Sequence, residues 1–295
     1  MFTSSYTTGV TSSVFPATKP GTLIMVGDLL LRGMFAGIIA GLLAFGFASI
    51  FGEPQVDRAI AFEEQAADTS AAGHTHSATE AEEAGSGHTH SATGAEEAEE
   101  PELVSRATQS TIGLLTGVVV YGTGLGGLFA LVFAFAYGRA GRLSPRSLAA
   151  LLAAAAFLVV FLVPYFKYPA NPPAVGNPDT IEYRTGLYFM MVIVSVVTLL
   201  VANVIRRQLI DRLGAWNAAL VAGAAFIVII SIAQAFLPNI NEVPDGFPAD
   251  LLWRFRVASA GIQVILWTTI GLLFGVLAER CIERRRGTAR TAFAH

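Results

Sequence analysis

Long runs of apolar residues, separated by short polar stretches, dominate the chain. A helix needs about 20 mostly apolar residues to cross the hydrocarbon core of a bilayer. Six stretches meet that length: Gly33–Phe51, Thr108–Tyr137, Ser147–Tyr165, Gly186–Val204, Ala215–Leu237 and Val257–Ala278. The pattern predicts an all-α fold, a polytopic membrane helix bundle of six transmembrane helices arranged as three hairpins. The second stretch is the longest, so tilt or a kink near Gly122, Gly124, Gly126 and Gly127 is expected. Gly33, Gly37 and Gly41 fall on one helix face, and Gly113 and Gly117 repeat the spacing. Small residues so placed let two helices approach closely. Packing inside one bundle and a homo-oligomeric seam are both open readings of that face.

Composition agrees with a lipid-embedded chain. Of 295 residues 53% are hydrophobic and 14% charged, against about 25% charged in a soluble domain; mean hydropathy is +0.57. A net charge of −3 gives no footing for nucleic-acid binding. The lone Cys281, just past the sixth span, excludes an intramolecular disulfide and a cysteine-based zinc or iron–sulfur site. Of the 19 Lys and Arg, 13 lie on the side of the N-terminus if the chain crosses six times. Positive charge collects on the cytoplasmic side, which predicts a multi-pass plasma-membrane protein with both termini cytoplasmic. The expected organisation is a flexible tail over 1–27, a membrane domain over 28–280 and a basic cytoplasmic tail over 281–295.

No Asp, Glu, His, Lys or Arg falls inside the six apolar cores. That excludes a voltage sensor and argues against a pump built on a buried carboxylate. Asn203, Gln234 and Gln263 are the larger polar side chains left at depth. Neither a nucleophile–base pair nor an HExxH pattern sits at the membrane, so an enzyme is not expected. The chain has no GxxxxGK[ST] loop and does not itself hydrolyse ATP.

Two kinds of outer loop carry the candidate chemistry. Residues 52–107 include HTHSAT at 74–79 and again at 88–93, a 14-residue tandem duplication rich in Glu. Few apolar residues and many like charges predict disorder. His74, His76, His88 and His90 supply four imidazoles, which suit cobalt, nickel, copper or zinc. A flexible chain would hold such an ion weakly and exchangeably, because ordering it costs entropy. No tightly bound cofactor is expected.

The second loop reads VPYFKYPANPPAVGNPDTIEYRTG, from Val163 to Gly186. Pro164, Pro169, Pro172, Pro173 and Pro178 preclude a regular helix, and such backbone at the membrane is tolerated where it lines a cavity or is buried in protein. Tyr165, Tyr168 and Tyr183 suit the interface. Asn171, Asp179 and Glu182 offer oxygen ligands, with Lys167 and Arg184 as counter-charges. A similar loop lies between Leu237 and Arg256, where Asn239, Asp245 and Arg254 echo Asn171, Asp179 and Arg184. Were the echo a true repeat, a site would lie where the units meet, with Gln234, Asn171 and Asn239 turned toward it.

The glycine-patterned first span, the His-rich acidic loop and the LVPYFKYPANPPAVGNPDTI segment opening into Arg-Thr-Gly together resemble the CbtA-type family of cobalt transporter subunits. Its Pro-rich segment maps onto Pro164, Tyr165, Lys167, Tyr168, Pro169, Asn171, Pro172 and Pro173. The resemblance implies an integral membrane protein tied to cobalt supply for cobalamin biosynthesis, paired with a small single-span subunit that also carries histidines. Nickel and zinc suit the same imidazoles. The alternative is a receptor or scaffold that hands metal to a partner without transporting it.

Overall fold

The structure, a computed structural model, describes residues 20–75, 105–141 and 143–292, which are helical apart from short turns and loops. α1 (Pro20–Phe47) passes through a π-helical turn, Ala48–Gly52, into α2 (Glu53–Thr75). α3 (Arg106–Thr108) continues through the π-helical Gln109–Gly113 into α4 (Leu114–Ala136). α5 (Pro145–Ala156), the π-helical Phe157–Leu162 and α6 (Val163–Lys167) form the next run. A single 3-10 turn, Pro178–Thr180, leads into α7 (Ile181–Phe236), and α8 (Ala249–Ala292) ends the fold.

Five runs are long and apolar enough to cross a membrane: Val26–Thr69, Arg106–Ala136, Pro145–Lys167, Pro178–Phe236 and Ala249–Arg285. The sequence predicts six, and the difference lies in α7, which contains both the fourth and the fifth expected spans. A straight helix of its 56 residues would be about 84 Å long, against ~30 Å of hydrocarbon. Gly214 interrupts it with φ +75° and ψ 165°, a left-handed conformation open to glycine. Met191 and Ile230 lie on either side of this break and are buried in one cluster with Val163. Along an unbroken helix they would be about 58 Å apart.

The loop boundaries also shift. Residues 20–27 were expected as tail, yet the first helix starts at Pro20, where a missing amide hydrogen costs nothing. Residues 53–75 were expected in the disordered outer loop, yet they form α2. One face of α2 is anchored: Ala59 is buried with Val175, Phe247 and Leu251, and Arg106 bridges Glu53 and, at 2.9 Å, Asp57. The backbone of His74 lies within that helix, but its side chain and all of His76, His88 and His90 fall outside the described residues.

Packing is built on small residues. Hydrophobic burial gives no force between helices that already sit in lipid, so close van der Waals contact must hold them. Gly33, Gly37 and Gly41 of α1 face Gly126, Gly122 and Val119 of α4 across an antiparallel seam of touching backbones. The glycine face therefore packs within the bundle, and α4 runs as one α-helical segment through Gly122–Gly127. α8 meets α5 in the same way, with Gly271 against Ala153 and Gly275 against Ala149. The main core joins α1, α4, α5 and α8 through Ala36, Ala40, Phe133, Ala149, Ile270 and Phe274. Many other large side chains point outward: Phe35, Phe135, Ile193 and Leu200 are each more than half exposed. Large apolar groups left on the outside are expected when the surroundings are lipid.

At the end holding the start of α1, Asp28 pairs with Arg285 and Glu279 with Arg146. These contacts tie α1 and α5 to the end of α8.

A Cβ on Gly37 would overlap the carbonyl of Gly122, whereas at Gly46 nothing lies within 4 Å. Gly37→Ala should destabilise the bundle by about 1–3 kcal/mol, the usual cost of overpacking. Gly46→Ala should leave it unchanged. Thermal unfolding of both variants in one detergent, followed by circular dichroism, checks the contrast.

Candidate functional site

Pro164 sets the geometry of the site. α5 starts cleanly, with the Ser144 hydroxyl accepting from the Ser147 amide and Pro145 in the first turn. Further along, Pro164 has no amide hydrogen, so Val160 loses its helical donor, and the π-helical Phe157–Leu162 shifts the neighbouring register. Carbonyls along this stretch take donors from α7. Tyr188 Oη donates to Val160 at 3.1 Å, Ser195 Oγ to Val159, and Gln234 Nε2 to Val163 at 3.3 Å. The chain then leaves the helix at Tyr168 and crosses the top of the bundle as a rigid cap.

This cap is locked to the second loop by reciprocal contacts. Lys167 Nζ donates to Asn239 Oδ1, and Arg256 Nη2 donates to Asn171 Oδ1 at 3.0 Å. Tyr168 Oη reaches the Pro238 carbonyl at 3.0 Å and Tyr165 Oη the Arg256 carbonyl at 2.8 Å. Glu242 collects the Asn177 amide at 2.8 Å and the Thr180 hydroxyl at 2.7 Å. Its Oε2 also lies 3.4 Å from Arg184 Nε. The pair is close without hydrogen-bond alignment, so the buried Nε–H has no acceptor. The hydroxyl of Thr180, then the Asn177 amide and the Arg184 charge, hold the Glu242 carboxyl below its usual range despite some desolvation. Gly176, at φ +124°, lies under the Arg184 guanidinium, which any Cβ would strike.

Beneath the locked loops is a cavity of about 580 Å³. Tyr165, Tyr168, Pro169 and Asn171 line one side, Arg184, Thr185 and Tyr188 another, and Asn241, Glu242, Arg256, Ser259 and Gln263 the rest. Six of the residues singled out in the sequence therefore meet here: Tyr165, Tyr168, Pro169, Asn171, Arg184 and Gln263. Lys167 and Asn239 form the lock above it. Pro164 and Pro172 are buried, and Pro172 accepts from the Val175 amide in the turn that carries Pro173. Asp179 and Glu182 are exposed and do not line the cavity. Gln234 is engaged with Val163 instead of facing it. Among the described residues no group of three or more His, Cys, Asp or Glu is placed to hold a metal.

Glu242 and Asn241 were missed from the sequence. The echo between the loops drew attention to Asp245, but the polar run Asn239-Ile240-Asn241-Glu242 directly after Pro238 was the better signal.

The family model described as "Probable cobalt transporter subunit (CbtA)" matches residues 26–279. The chain belongs to the CbtA family. The CbtA match reaches into every described helix and takes in the whole cavity, and makes the chain a membrane protein of cobalt transport with a non-enzymatic role. No curated protein and no solved structure matches it.

Because the Glu242 carboxyl is held below its usual range, the contribution of its contacts is complete above the ordinary glutamate value. It is lost as pH falls through the depressed folded value. Spin labels at the exposed Asp179 and Asp245 positions should report one narrow distance at neutral pH and broaden only in strong acid. Glu242→Gln should be broad at both.

Proposed function

We propose that this CbtA chain carries cobalt across the membrane, collecting the ion on its His/Glu-rich outer loop and admitting it through the capped cavity. The observation that supports this is the position of the cavity. Amide and hydroxyl oxygens from two Pro-rich loops converge on one chamber at the mouth of a bundle whose apolar cores hold no Asp, Glu, His, Lys or Arg. His74, His76, His88 and His90 would raise the local concentration of the ion, and Asn241 and Gln263 would receive it. Nickel and zinc are the competing cargoes by ligand chemistry.

In this reading residues 28–280 form one membrane domain of six spans, with α7 serving as two. The break at Gly214 and the shared burial of Met191 and Ile230 support that count. Both termini are cytoplasmic, supported by the excess of basic residues on that side. The membrane potential drives entry, worth about 2.3 kcal/mol per charge per 100 mV and twice that for a dication. A small single-span subunit bearing histidines is the expected partner, since the family is one of transporter subunits.

One observation favours the receptor reading. The Val159, Val160 and Val163 carbonyls around Pro164 are already engaged by Ser195, Tyr188 and Gln234, so they offer an ion no open ladder of oxygens.

Cobalt accumulation separates the two readings. In a host lacking cobalt and nickel importers, cells expressing this chain alone should retain chelator-resistant cobalt above the empty-vector level. Deleting residues 74–90 should reduce uptake mainly at scarce metal. No accumulation despite membrane insertion would leave the receptor reading in place, and an equal loss at all cobalt concentrations would count against the loop as collector.

A further inference from the structure

The charges facing the cavity do not suit a bare dication. Three charged side chains, Arg184, Arg256 and Glu242, are among its lining residues. Glu242 is committed to Thr180, Asn177 and Arg184. Arg256 is half-buried and donates to neutral oxygens alone, Asn171 Oδ1 at 3.0 Å and the Ala170 carbonyl at 3.4 Å. Among the described residues no carboxylate lies within ion-pairing distance of it. The chamber therefore carries an uncompensated guanidinium. Such a group repels a cation and matches the planar, two-oxygen face of a carboxylate. Size points the same way. A dication with six waters needs about 180 Å³ at ~30 Å³ per water, well under the 580 Å³ available.

We propose that the outer cavity binds a small polycarboxylate at Arg256, and that the divalent ion occupies the chamber together with that anion. The bound carboxylate neutralises Arg256 and turns its remaining oxygens toward the metal, supplying the hard ligands that the cavity wall lacks. The anion reaches the site either free or already complexed to the metal. This rests on the transport reading only for the identity of the cation.

Binding to the purified full-length chain in nanodiscs tests the proposal, with His74, His76, His88 and His90 replaced by Ala to silence the loop. Labelled citrate, cobalt and their mixture are the three probes. Citrate should bind, and R256Q should weaken it about tenfold or more, the effect of losing one charged hydrogen-bonding group; R256K should retain most of the binding. Citrate binding without cobalt identifies the free anion as the form taken up, and binding only with cobalt identifies the complex. The proposal is overturned if citrate binds in neither arm, if R256Q leaves its binding unchanged, or if cobalt alone binds and R256Q tightens it. Should R256Q fail to fold, the wild-type arms and R256K decide. Cellular cobalt accumulation is read separately, so a failure of transport and a failure of anion binding are told apart.

Discussion

A carbonyl oxygen inside a hydrocarbon core must find a donor within the protein, and Pro164 withholds one. Much of the outer half of the molecule answers that deficit. The Val160 carbonyl takes the Tyr188 hydroxyl, and its neighbours at Val159 and Val163 take Ser195 and Gln234. These donors come from both sides of the break at Gly214, so satisfying one short stretch of backbone ties both halves of α7 to the run Phe157–Lys167. With α7 fixed, Arg184 and Thr185 stand where they close the side of the cavity.

The second layer of order is the exchange between the loops. Each loop contributes a cation that holds an asparagine of the other, and Glu242 binds the turn that starts α7. No single contact of this kind is strong at a solvated surface. Their number matters because the loops are short, proline-stiffened and anchored at both ends, so little conformational freedom is left to lose. The result is a preformed chamber and not a mobile lid. It sits over a bundle whose seams are touching backbones, which cannot open by small adjustments of side chains.

In the proposed reading, capture and admission fall to different parts of the chain with opposite physical character. The His/Glu-rich segment is rich in negative charge and suited to collecting cations weakly. The cavity is stiff and carries excess positive charge at Arg256. An ion passing from one to the other meets a change in the sign of the local field, which an accompanying anion would remove.

Hydropathy, glycine spacing and the Pro-rich motif were enough to establish a helical membrane protein, its family and the segment that builds the chamber. Those features are written in local residue type: a run of apolar residues must be helical in lipid, and Pro164 must break a ladder wherever it is placed. The identity of contacts across space was not legible. Asn171 and Asn239 looked like ligands turned to one site, but they are held by Arg256 and Lys167. Glu242, unremarkable in the sequence, joins the loops, whereas Asp179 and Glu182 face away. Glycine spacing announced a close seam without saying whether its partner was α4 or a second copy. Sequence fixes which groups need partners, because valence and hydrogen bonding are local. Only the tertiary structure decides which partner each receives, because direction and distance depend on how the helices cross.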